Sequence, residues 1–132
     1  MIYEKANIRM KLMNAPVSAP PLSPFIKKGN TIYTSYTSGQ VYLKDGKLIE
    51  GTVKDQAHQV MQNLKTVLGN AGASFSDVVK TTIYTTDMSI YGEINEVYAS
   101  YFSGNYPARE VIGVKELPLG AKIEISMIAI VN

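Results

Sequence analysis

Residues 122–131 read KIEISMIAIV, a run with the composition of a β-strand that is apolar on both faces. Successive side chains of a strand point to opposite sides of a sheet. Ile123 and Ile125 therefore share one face, and the other face carries Glu124, Ser126, Ile128 and Ile130. Apolar residues on both faces are expected where helices cover one side of a sheet and another subunit covers the other. The segment predicts the last strand of a sheet in an oligomer.

Two amphipathic helices precede this strand. Apolar residues recur at helical spacing over residues 53–68, and Thr52 is the predicted N-cap of that helix. A second apolar stripe covers residues 90–102, with Asp87 or Ser89 as its cap. Each stripe is wide enough to cover part of a sheet.

β-branched and aromatic residues predict further strands at residues 30–35, 77–86 and 110–115. Asp45-Gly46, between two short apolar runs, predicts a hairpin over residues 41–49. Residues 14–24 hold four of the six prolines and predict an extended connector. The order of elements predicts an α+β fold in which two helices cover one face of a mainly antiparallel sheet.

The composition predicts one globular domain over residues 1–132. Hydrophobic residues make up 45% and charged residues 18%, which excludes a disordered chain. The net charge of +2 is too small to indicate a nucleic-acid partner, and the lack of cysteine excludes disulfides and thiolate chemistry. No apolar stretch approaches the ~20 residues of a membrane span, and the N-terminus lacks the order of a signal peptide. We expect a soluble cytoplasmic protein.

Arg109 and Glu124 are the leading candidates for a functional site. Arg109 follows a Pro-containing turn, and a guanidinium offers a planar fork of donors that matches a carboxylate. Glu124 lies in an otherwise apolar strand, where a carboxylate costs free energy unless water, a partner or a ligand meets it. Together they suggest a site that binds a small carboxylic acid and positions a water molecule. The alternatives are an Arg109 paired with a nearby acid and a Glu124 balanced by Lys122.

Short motifs spread along most of the chain strengthen this interpretation. They are Pro21-Leu22-Ser23-Pro24, Lys28-Gly29-Asn30, Ile32-Tyr33-Thr34-Ser35, Ser38-Gly39-Gln40, Asn63-Leu64-Lys65, Ala71-Gly72-Ala73, Asn95-Glu96-Val97-Tyr98, Pro107-Ala108-Arg109, Leu117-Pro118 and Ile123-Glu124-Ile125. In this order, over roughly residues 14–131, the set resembles the RidA/YjgF family of reactive-intermediate deaminases.

The resemblance implies a chorismate-mutase-like fold and a homotrimer whose sheets form a central barrel, with sites in the clefts between subunits. It also implies hydrolysis of 2-imino acids to 2-keto acids and ammonia without a cofactor. By this resemblance Arg109 binds the substrate carboxylate and Glu124 positions the attacking water. Backbone groups of Ser38-Gly39 and of Val111 line the family's site.

The chain departs from the family pattern at three places. Leu22 stands where active deaminases usually have Tyr, and Val111 where Cys is frequent. Tyr36-Thr37-Ser38 intervenes before Gly39, so either Ser35 or Ser38 is the site serine, and Ser38 is favoured because Gly39 follows it. Leu22 favours an alternative in which a trimer binds a small carboxylic or keto acid without turnover. A weaker alternative is a protein-interaction trimer whose cleft is vestigial.

The remaining polar and aromatic candidates each have a non-functional explanation beside the functional one. Asn95 is polar on an apolar helix, where either a helix-to-loop hydrogen bond or a ligand explains it. Tyr106 is predicted as a pocket wall or as a core residue. Ser38 and Gly39 are predicted as a backbone contact to ligand or as a simple bulge. His58 is the only histidine and has no second ligand at metal spacing, so it is predicted to be a surface residue.

Overall fold

A five-stranded sheet is the framework that places the candidate residues. The computed structural model describes residues 21–35 and 51–132. The strands lie in the order β1-β2-β5-β3-β4, where β3 and β4 are parallel and the other neighbours are antiparallel. The elements are β1 Phe25–Lys28, β2 Thr31–Thr34, α1 Val53–Asn70, β3 Val78–Thr85, α2 Tyr91–Ala99, β4 Ala108–Gly113 and β5 Ile123–Ile130. The predicted α+β class and the mainly antiparallel sheet are confirmed for the described residues.

The first helix, α1, forms because its N-terminal cap and its apolar stripe agree. Thr52 Oγ1 accepts a hydrogen bond from the Asp55 N–H at 3.1 Å, and an Asp55 carboxylate oxygen accepts one from the Thr52 N–H at 3.0 Å. This capping box satisfies two N–H groups at the helix start. The predicted stripe is buried at Ala57, Val60, Met61, Leu64, Val67 and Leu68. The chain leaves the helix through Gly72, whose φ of 85° is a conformation that glycine adopts without strain.

The second helix, α2, is the crossover between the parallel strands β3 and β4, which a tight hairpin cannot join. An Asp87 carboxylate oxygen accepts a hydrogen bond from the Ser89 N–H at 2.9 Å, so Asp87 caps the turn that leads into α2, whereas Ile90, at the N-cap of α2 itself, makes no side-chain cap bond. A short 3₁₀ turn, Met88–Ile90, follows, and α2 begins at Tyr91. The crossover sets one face of α2 beside the first residues of β4.

Two details of the sheet differ from the sequence pattern. β1 pairs with β2 although two lysines interrupt its apolar composition, so the pattern does not predict it. Strict alternation over residues 77–86 predicts that Val79 shares a face with Thr81 and Ile83, and this prediction is wrong. The register shifts between Val78 and Lys80, and this bulge turns Val78 into the core. Val79 is left 44% exposed.

The two faces of the sheet are covered differently. Both helices pack on the face that carries Ile83, Ile123 and Ile125, and these side chains are buried in one core cluster. The opposite face leaves four large apolar side chains between 39% and 49% exposed, namely Ile26, Tyr33, Ile112 and Ile130. The hairpin predicted over residues 41–49 lies outside the described residues. Within those residues, no helix combines the length and apolarity needed to cross a membrane.

Candidate active site

Arg109 is held at the start of β4 between two tyrosine rings of α2. Its guanidinium carbon lies 5.1 Å from the centre of the Tyr98 ring and 5.8 Å from the centre of the Tyr91 ring, within the range of cation–π attraction. Arg109 Nη2 also donates a hydrogen bond to the Tyr91 hydroxyl at 3.3 Å. One N–H is thereby used, and the rest of the planar fork remains to bind a carboxylate.

A cleft of about 310 Å³ opens beside this guanidinium. It is lined by Asn95, Tyr98, Ala99, Tyr106, Pro107 and Arg109. Three predicted site residues, Asn95, Tyr106 and Arg109, therefore meet at one cavity. Its polar groups are few and its walls are largely aromatic or aliphatic, as is usual for small-molecule sites.

Asn95 contributes a buried polar atom to the lining of this cleft. Within residues 21–35 and 51–132, its side-chain oxygen, Oδ1, accepts no hydrogen bond. An acceptor left in this state costs about 1–3 kcal/mol, which a bound donor would recover. The sequence allowed either a helix-to-loop hydrogen bond or a ligand contact for Asn95. Among the described residues, its Oδ1 atom does not make the helix-to-loop hydrogen bond. A donor on a ligand in the cleft would satisfy it.

Val111 presents its backbone and its side chain in different directions. The Val114 N–H donates to the Thr85 carbonyl at 2.8 Å, which directs the backbone groups of residue 114 toward β3. Because backbone groups alternate along a strand, those of Val111 face away from β3, at the open edge of the sheet. The Val111 side chain packs against the core. Its peptide groups are placed to reach a ligand whichever side chain the residue carries.

Glu124 is a buried carboxylate, only 8% exposed. Its Oε1 atom has no hydrogen-bond partner among the residues that the structure describes. Burial raises the pKa of Glu124 from 4.5 to about 7, because removal from water disfavours the charged form. A carboxyl group with this pKa exchanges a proton readily near neutral pH, which is the property of a general base or acid.

Within one chain, Arg109 and Glu124 lie on opposite faces of the sheet. Arg109 is in register with Thr81, whose hydroxyl accepts a hydrogen bond from Tyr98 on the helix side. Glu124 is in register with Tyr84, three residues further along β3 and therefore on the other side. Two strand spacings and three residues of rise put their Cα atoms roughly 14 Å apart. A single chain does not bring these two side chains together.

The other predicted residues divide between described and undescribed parts of the chain. Ser38 and Gly39 lie outside the described residues. Ser35 is described, and its hydroxyl donates to the Ser23 carbonyl in the preceding connector. His58 is exposed, as predicted, with Nδ1 3.0 Å from the Tyr101 hydroxyl. Within the described ranges, no three His, Asp or Glu side chains are grouped as a metal site requires.

Tyr91 and Tyr98 are the site residues that sequence reasoning missed. The helical spacing explains Tyr98 as part of the apolar stripe over residues 90–102, and no sequence motif includes Tyr91. The signal was present in the spacing, because positions 91, 95 and 98 of a helix lie on one face. That face meets Arg109 only after the crossover returns the chain to β4, which periodicity alone does not reveal.

Comparisons with known proteins extend over nearly the whole chain. Residues 12–131 match the family described as Endoribonuclease L-PSP. The chain is 42% identical to the 2-iminobutanoate/2-iminopropanoate deaminase of Mus musculus, over 88% of this chain and 85% of that protein. The structure of RidA from the Antarctic bacterium Psychrobacter sp. PAMC 21119 is similar, with a TM-score of 0.81 and 38% identity over 89% of this chain and 94% of that one. Escherichia coli TdcF with bound serine gives a TM-score of 0.80 and 34% identity over 91% and 95% of the two chains.

Proposed function

The chain belongs to the RidA/YjgF family, and we propose that it hydrolyses small 2-imino acids to 2-keto acids and ammonia. The observation that carries the proposal is a cleft lined by both Arg109 and Asn95, a residue whose side-chain Oδ1 has no partner among the described residues. A 2-imino acid has a carboxylate for the first group and an N–H for the second. The mouse relative named as a deaminase of such acids supports the same substrate class.

Arg109 has the binding role in this proposal. Its guanidinium donates two parallel N–H···O hydrogen bonds to the substrate carboxylate, which fixes the plane of the adjacent imine carbon. The Asn95 carbonyl oxygen accepts the iminium N–H and so orients the carbon–nitrogen bond. An iminium carbon is already electrophilic, so orientation of water and substrate supplies much of the rate.

Glu124 has the proton-transfer role. As a carboxylate it takes a proton from a water molecule whose oxygen adds to the imine carbon, giving a carbinolamine. The resulting carboxylic acid returns the proton to the amino group. The carbon–nitrogen bond then breaks, ammonia leaves with the bonding pair, and the regenerated Glu124 carboxylate takes the hydroxyl proton as the carbon–oxygen double bond of the keto acid forms. A pKa of about 7 suits both transfers at neutral pH.

The proposed site needs a second copy of the chain. Arg109 and Glu124 point to opposite faces of one sheet, so the Arg109 cleft of one protomer must meet Glu124 of another for both to touch one substrate. The four exposed apolar side chains on the Glu124 face support such an association, because strand faces of this kind are normally covered. The family's homotrimer is the assembly we propose.

Two variants test the proposal against its alternatives. An amino-acid dehydratase or oxidase generates the imine, and keto acid release is followed with wild type, Arg109→Lys and Glu124→Gln. Lys keeps the charge but loses the fork, so we expect weak binding of 2-oxobutanoate and no detectable turnover. Gln cannot take a proton, so binding should persist while turnover falls roughly 100-fold or more.

The outcomes separate a deaminase from a binding protein. If wild type binds 2-oxobutanoate but never releases keto acid faster than buffer, the protein is the non-catalytic carboxylate binder that Leu22 favours, and the deaminase proposal is wrong. The Leu22→Tyr variant then tests whether the tyrosine hydroxyl that active members of the family usually carry at this position restores turnover. Wild-type turnover in Arg109→Lys would show that Arg109 does not bind the substrate. RNA cleavage is not proposed, because a net charge of +2 gives little attraction to a polyanion.

A further inference from the structure

We propose that Tyr91 is a positioning residue that sets the orientation of Arg109 for carboxylate binding. The proposal rests on the proposed function, because it concerns the arginine that binds the substrate there. It adds a residue of this chain whose hydroxyl and ring both contact the guanidinium. The contacts are the hydrogen bond of 3.3 Å from Arg109 Nη2 and the ring centre at 5.8 Å.

The two tyrosines beside Arg109 are held very differently. Tyr98 is 4% exposed, and its hydroxyl donates to the buried Thr81 Oγ1 at 3.0 Å. Its ring is therefore a fixed platform whose polar end is already used inside the core. Tyr91 is 39% exposed and directs its hydroxyl to Arg109. Of these two tyrosines, Tyr91 is therefore the one whose hydroxyl orients the guanidinium by a hydrogen bond.

An arginine on an edge strand has many rotamers, and each one lost on binding weakens the complex. Tyr98 limits how far the guanidinium can move toward the core, and Tyr91 holds one terminal nitrogen. The guanidinium so held is part of the lining of the cleft that Asn95 also lines, and its other N–H groups are left for the substrate. The fork is thus oriented before the substrate arrives, which stabilises bound substrate and transition state alike.

The test is a Tyr91→Phe variant, which keeps the ring and removes the hydroxyl. Calorimetric titration with 2-oxobutanoate should show binding weakened roughly three- to tenfold, the usual effect of losing one hydrogen bond. In the imine assay the KM should rise by a similar factor while kcat stays near wild type, because the lost interaction acts equally on ground and transition states. Substitution of a residue that only supports the fold would not raise the KM while leaving kcat unchanged.

Tyr101→Phe is the matched control on the same side of the protein. The Tyr101 hydroxyl contacts His58 and Gln62, not Arg109, so its removal should leave 2-oxobutanoate affinity unchanged. Equal affinity in wild type and Tyr91→Phe would overturn the proposal, as would an equal loss in both Phe variants or a fall in kcat at constant KM.

The proposal and the function it rests on can fail separately. If wild type binds 2-oxobutanoate without hydrolysing imine, and Tyr91→Phe binds it more weakly, the positioning role stands and the deaminase function does not. If turnover is normal but Tyr91→Phe changes nothing, the function stands and the positioning role is wrong. If wild type fails to bind 2-oxobutanoate, both are wrong.

Discussion

Two buried side-chain oxygens without partners, on Asn95 and Glu124, are the features at the residue scale that point to chemistry. Folded proteins seldom leave such atoms unpaired, since each costs stability that a ligand or a partner can return. Asn95 lines the Arg109 cleft, and Glu124 lies on the far face of the sheet. Their placement fits a substrate site shared between chains better than two unrelated defects.

The raised pKa of Glu124 makes stability depend on pH in a direction opposite to that of an ordinary paired carboxylate. The folded-state pKa of about 7 exceeds the reference value of 4.5, so the folded form holds its proton more tightly. The stability that the protonated Glu124 carboxyl group contributes to the folded state is fully present below about pH 4.5. It is lost as the pH rises through 7. We expect Glu124→Gln, which cannot ionise, to gain stability relative to wild type between pH 5 and pH 8, by about 3 kcal/mol at most.

Thermal or urea unfolding of both proteins across that pH range measures the difference. Glu93→Gln is the control, since Glu93 is exposed on α2 and water screens its charge. It should follow the wild-type pH profile. A constant gap between wild type and Glu124→Gln at all pH values would mean that Glu124 does not ionise in this range.

The residue types of the site could be predicted from sequence, but their geometry could not. Arg109 in its Pro-flanked turn and Glu124 in its apolar strand are conspicuous because each side chain conflicts with its surroundings. Which face each occupies depends on the register of β4 and β5 against β3, and no local pattern encodes that register. The two residues are fifteen positions apart along the chain and yet face opposite ways.

At the scale of elements, local signals were sufficient for α1 and insufficient for the sheet edges. α1 follows from a cap and a stripe that both lie within its own sequence. β1 and the bulge at Val78 depend on what lies across the sheet, so alternation alone assigns them incorrectly. The same limit hid Tyr91, whose role depends on a strand seventeen residues further along the chain, at Ala108.

The cap of α1 gives a prediction about stability that does not depend on function. Thr52→Ala removes the hydroxyl that accepts the Asp55 N–H, and we expect a loss of about 1 kcal/mol. Thr66→Ala removes the same atoms from the middle of α1, where Ala has the higher helix propensity, so it should be neutral or slightly stabilising. Urea unfolding of the two variants measures the contrast, and equal losses would show that the capping box does not stabilise α1.

At the scale of the whole molecule, no helix or strand among the described residues covers the sheet face opposite the two helices. Ile26, Tyr33, Ile112 and Ile130 expose a large apolar area on the side that carries Glu124. A domain of 132 residues gains stability by covering such a face with copies of itself. This agrees with the pattern of residues 122–131, whose two apolar faces predicted contact with another subunit.

Mixed assemblies of two inactive variants test whether the site is shared. In a cyclic trimer with each site between neighbours, a subunit with Arg109→Lys still supplies Glu124, and one with Glu124→Gln still supplies Arg109. The variants are co-expressed with different tags, and trimers that carry both tags are purified and confirmed as trimers by light scattering. Every such trimer then contains one intact junction, so about one third of wild-type activity should return. If each site instead lay within one chain, no subunit would hold both groups, and the mixed trimers would stay as inactive as the pure variants.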